Sequence, residues 1–102
     1  MTDRAGRTHD LGKGFTLTEF YSNGILVGYT INGPAAPQCK SSYQGRCGGL
    51  CAIRPYVIEV ENFRKEYPVW AVDGDWPNIT LSPSVACDCG GQHSFVRDGR
   101  WI

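Results

Sequence analysis

Glycine or proline interrupts this chain every few residues: thirteen glycines and six prolines fall within 102 positions. That punctuation leaves little room for long helices and favours short strands joined by turns. The strongest local signals agree. Phe15-Thr16-Leu17-Thr18-Glu19-Phe20-Tyr21 alternates, and Ile25-Leu26-Val27-Gly28-Tyr29-Thr30-Ile31 is β-prone. Ser22-Asn23-Gly24 lies between them. Asn and Gly both tolerate positive φ, so the pair predicts a two-residue hairpin turn. Asp98-Gly99, between Ser94-Phe95-Val96-Arg97 and Arg100-Trp101-Ile102, predicts another.

Other segments read less sharply. Ala52 to Val60 reads as a third strand, with Pro55 marking an edge or a bulge. Val69 to Val72 and Ile79 to Leu81 read as short strands, the second stopped by Ser82-Pro83-Ser84. Glu61 to Tyr67 is the one candidate helix, with Asn62 as cap and Phe63 and Tyr67 sharing a face. Residues 35–51 read as a loop. Residues 1–14 read as a flexible polar arm, in which His9 is a solvated tail histidine. The expected fold is therefore mainly β: a small single domain over residues 15–102, of short antiparallel strands and hairpins, with at most one short helix.

Charge is balanced, with ten acidic and ten basic side chains. No overall field draws the chain to nucleic acid or to anionic lipid. No apolar run approaches the roughly 20 residues of a membrane span. The opening residues Met1 to Arg7 lack the apolar stretch of a secretory signal. A reducing cytosol is the expected compartment; a virion protein would leave it for an oxidising medium.

Five cysteines are many for such a chain. Cys47 and Cys51 form one close pair. Cys87 and Cys89 form another, followed by Gly90-Gly91-Gln92-His93. Glycines beside both pairs allow the backbone curl that a metal knuckle needs. Thiolate and imidazole donors suit tetrahedral zinc. A zinc site of Cys47, Cys51, His93 and one of Cys87 or Cys89 is expected, stabilising a domain with a modest core. Disulfides and free buried thiols are the alternatives, and Cys39 is the spare thiol or a substitute third ligand from the same loop.

Two C-terminal segments carry a resemblance. Trp76-Pro77-Asn78-Ile79-Thr80-Leu81-Ser82-Pro83-Ser84-Val85 and His93-Ser94-Phe95-Val96-Arg97-Asp98-Gly99 resemble an uncharacterised family widespread in phages and prophages, some members of which are labelled ammonia monooxygenase. The resemblance covers about residues 47–102. It implies a zinc-ribbon-like site in which Cys47 and Cys51 match an early knuckle and His93 a late histidine. Gln92 stands where that family has cysteine, and the knuckle spacer is one residue longer.

Catalytic readings are weaker. Ser82 and Ser84 flank Pro83 without the glycine elbow of a hydrolase, so neither is expected to be a nucleophile. Asp73 and Asp75 around Gly74 read as a polar turn. Trp70, Trp76, Trp101, Phe95 and Tyr56 read as packing residues. The expected function is a non-enzymatic, zinc-stabilised phage module that binds another protein, such as a virion component. The alternatives are a head or tail accessory protein with disulfides and a small zinc-dependent hydrolase or nuclease.

Overall fold

The computed structural model of the protein describes residues 3–34, 46–86 and 93–102. It is mainly β, with ten strands and no helix among the described residues. β1 (Asp3–Gly12), β2 (Phe15–Ser22), β3 (Ile25–Pro34) and β4 (Arg46–Ala52) form one antiparallel sheet in chain order. β5 (Val57–Val60) and β6 (Phe63–Glu66) form a separate hairpin. β7 (Ala71–Asp73), β8 (Thr80–Ala86), β9 (His93–Arg97) and β10 (Arg100–Trp101) form a second four-stranded sheet, also in chain order and antiparallel.

The turn chemistry sets the hairpins. Asn23 and Gly24 have φ of 54° and 79°, and Asp98 and Gly99 have 48° and 72°. Positive φ at both central positions matches the twist of the flanking strands. Along β2 burial alternates, with Phe15, Leu17 and Glu19 facing inward and Thr16 and Thr18 half-buried. That is the period of a strand with one face on a core.

The inner faces of the two sheets share that core. Leu11, Phe15, Leu17, Tyr29, Ile31 and Cys51 come from the first sheet. Ile79, Leu81, Val85, Val96 and Trp101 come from the second or its approach. Leu17 and Val96 are fully buried, each contributing about 1.5–3 kcal/mol through lost water contact. Phe15 stacks on Trp101 at 4.1 Å between ring centres, and Tyr29 stacks on Trp76 at 5.9 Å. These ring pairs tie the sheets together. Gly33 faces the Phe15 ring so closely that a Cβ there would collide with it.

Several expectations need correction. Asp3–Gly12 is a paired strand, not an arm. Its polar side chains hide it from a hydrophobic pattern, because backbone pairing with β2 and the single buried residue Leu11 hold it. His9 is half-buried, not a solvated tail residue. The segment read as a helix contains β6, which pairs with β5 around a turn where Glu61 has φ of 46°. Cross-strand pairing outweighs the four-residue spacing of Phe63 and Tyr67. The end of the expected loop, from Arg46 to Cys51, lies in β4. The third strand ends at Ala52 and resumes at Val57, with Pro55 exposed between. Ser82-Pro83-Ser84 does not stop β8. Leu81 pairs with Val96 and Val85 with Ser94, so three residues of β8 bulge opposite Phe95. Trp101 is buried, in keeping with a packing residue.

Candidate active site

The bulge in β8 governs what lies on the outer face of the second sheet. Ala86 pairs with His93. Ser84, two residues earlier, sits on the same side of β8 and diagonally across from His93. Ser84 Oγ and His93 Nε2 are 2.7 Å apart, a hydrogen bond. Ser84 is half-buried and His93 exposed, so the pair meets solvent. With the ring proton on Nδ1, Nε2 accepts from the serine hydroxyl. That is the geometry of a nucleophile and its general base.

Neighbouring contacts fix the serine from behind. The Trp70 indole N–H donates to the Ser84 carbonyl oxygen at 3.2 Å. Trp70 is held in turn by its own amide, which donates to the Ala52 carbonyl at 2.7 Å. Ser84 is thus braced against the last residue of β4 in the first sheet. On the other side, Ser94 Oγ donates to the Ile102 carbonyl, and the Ile102 amide donates to the Phe95 carbonyl at 3.0 Å.

The cysteine set is distributed differently. Cys51 lies in the core, 3% exposed, and burial pushes its thiol up to about 12. His93 has the strand parity opposite to buried Val96, so it points away from that core. Cys51 and His93 are therefore not brought together. One ion bound by the whole set would require one of these two to leave its place. Cys47 is on β4 opposite Gly33; Cys39, Cys87 and Cys89 lie outside the described residues. Among the described residues, no three or more His, Cys, Asp or Glu side chains group as metal donors. Asp73 and Asp75 flank Gly74, which has φ of 83°, and both are exposed, in keeping with a polar turn.

Sequence reasoning singled out His93 as a metal ligand and set Ser84 aside. The available signal was the short interval between them: a serine nine residues before a histidine can meet it across a hairpin. An elbow motif is one way to expose a serine, and a β-bulge is another.

No curated protein and no solved structure matches the chain. The bacterial ubiquitination-like system serine protease family (BubE) matches residues 35–102, which is 68 of the 102 residues. This overturns the expectation of a non-enzymatic module, since the matching family is one of enzymes. The match takes in Ser84, His93 and Trp70 and leaves β1 to β3 outside it. By that match the chain belongs to the BubE family of bacterial ubiquitination-like system serine proteases.

Proposed function

We propose that this protein is a serine peptidase in which Ser84 is the nucleophile and His93 the general base. The observation that carries the reading is the 2.7 Å contact between Ser84 Oγ and His93 Nε2, within a segment that matches a serine protease family. In the reaction, Ser84 Oγ attacks the scissile carbonyl carbon while its proton passes to His93 Nε2. The tetrahedral intermediate collapses to an acyl-enzyme as His93 returns that proton to the leaving amine. Water, deprotonated by the same imidazole, then releases the acid and restores the serine. The Trp70 brace holds the Ser84 main chain still while its side chain turns over. The matching family is one of serine proteases of bacterial ubiquitination-like systems, which supports a polypeptide of such a system as the substrate.

Labelling with a fluorophosphonate probe tests this. The expected result is a single adduct mapped to Ser84, lost in Ser84→Ala and sharply slowed in His93→Ala. An adduct on Ser82 instead, or no adduct on folded protein, contradicts it.

Zinc is a separate proposal, supported by cysteine spacing alone. Its donors would be drawn from Cys39, Cys47, Cys87 and Cys89, because Cys51 is a core residue and His93 is engaged by Ser84. Elemental analysis of protein prepared without chelator tests it, and absence of zinc removes it.

A further inference from the structure

The outer face of the second sheet continues past the serine–histidine pair. Along β9, His93, Phe95 and Arg97 are exposed, while Val96 is buried. These three share the face on which Ser84 meets His93. β10 adds Arg100, exposed and directly opposite Arg97. Two like charges facing each other across a strand pair are destabilising. Among the described residues neither has a salt bridge, and the intervening Asp98 pairs with neither. Arg97 instead lies over the Phe95 ring, 4.7 Å from its centre. Phe95 is 39% exposed. The face thus runs from Ser84, through an exposed aromatic ring, to two guanidinium groups that have no salt bridge among the described residues.

We infer that Arg97 and Arg100 form a substrate-recognition site for a carboxylate, with Phe95 as the apolar subsite before it. The ligand class is an extended polypeptide segment bearing Asp or Glu several residues from the bond that is cut. Arg97 is four residues from His93 along β9, about 13 Å in an extended strand. A substrate lying along the same face spans that distance with about four residues of its own. The charge complementarity names the occupant: a basic or neutral segment leaves both arginines uncompensated, and an acidic one relieves their mutual repulsion. Guanidinium groups suit this role because their planar forks accept carboxylates in bidentate fashion.

The inference rests on the reading of Ser84 and His93 as the catalytic pair, and the test separates the two. Wild-type protein is incubated with a synthetic library of decapeptides varied in charge, and cut positions are read by mass spectrometry. Fluorophosphonate labelling of the same preparation reports the state of Ser84. The expected profile favours Asp or Glu at a fixed distance on one side of the cut, by roughly fivefold, the size that two exposed ion pairs give. In Arg97→Glu/Arg100→Glu the preference switches to Lys or Arg, a gain that misfolding cannot produce. In wild-type protein molar salt should erase the acidic preference, which tests the charge effect without any substitution. Labelling at Ser84 and cleavage without acidic preference overturn the recognition site but keep the peptidase. Absence of both labelling and cleavage overturns the peptidase and this site with it.

Discussion

The His9 Nε2 atom lies 2.8 Å from the carbonyl oxygen of Gly99, ninety residues away, and joins the first strand to the last turn. A carbonyl only accepts, so Nε2 carries the proton. The same ring meets Trp76 edge-on at 6.2 Å, and Trp76 stacks on Tyr29. The strands outside the family match are in this way built into the domain that carries the serine. His9→Ala removes one hydrogen bond and one aromatic contact. The expected loss is about 1–2 kcal/mol of stability, read by urea denaturation. An unchanged midpoint contradicts the role.

Glu19 is the one buried charged side chain of the described core, 3% exposed. Arg7 binds it through its guanidinium at 2.9 Å and its amide at 2.8 Å. The Arg7 hydrogen bond is the main cause of a carboxyl held below its ordinary value of 4.5. A depressed carboxyl contributes stability that is present above the ordinary value and lost as pH falls through the depressed one. Melting temperature should therefore drop as the solution is acidified below about pH 4.5. Glu19→Gln should melt lower at pH 7 and show a flatter acid limb. A variant with the same acid limb as wild type contradicts the assignment.

How far the sequence discloses this fold depends on the kind of signal each element carries. Asn23-Gly24 and Asp98-Gly99 disclose their hairpins because backbone chirality restricts which residues fit those turns. β1 has no such mark, since backbone pairing with β2 is invisible in side-chain hydropathy. β6, Phe63-Arg64-Lys65-Glu66, is exposed throughout and so has no alternation to read. Pro83 signals a stop, but the β8 bulge accommodates it. The Ser84–His93 contact depends on the register of β8 against β9, which composition does not encode. The cysteines drew attention because their spacing is local, whereas the serine and histidine meet only through pairing of β8 with β9.

Cys51 should behave as a core thiol. With its value pushed up to about 12 by burial, the thiolate fraction at pH 8 is about one part in ten thousand. Iodoacetamide should leave Cys51 unmodified in folded protein and modify it after denaturation. Cys51→Ser should cost about 1–3 kcal/mol through a buried hydroxyl and leave metal content unchanged. Rapid native alkylation, or zinc lost on that substitution, contradicts it.

Trp70 acts on the reaction through Ser84. Trp70→Phe keeps an aromatic ring and removes the N–H that anchors the Ser84 carbonyl. Loss of one such hydrogen bond should lower kcat about fivefold, with KM little changed. A rise in KM at constant kcat points to substrate binding instead, and no change in either contradicts the brace.

The central claim is that Ser84 and His93 act as one unit, and a double-mutant cycle tests that most directly. Initial cleavage rates are measured on the library peptide that wild-type protein cuts fastest, for Ser84→Ala, His93→Ala and the double variant, each confirmed folded by its melting curve. Residues that share one proton transfer are strongly non-additive. The account predicts that each single substitution abolishes most of the rate and that the double variant is no slower than the slower single one. Rates that fall multiplicatively, or a Ser84→Ala protein that cleaves like wild type, would contradict it.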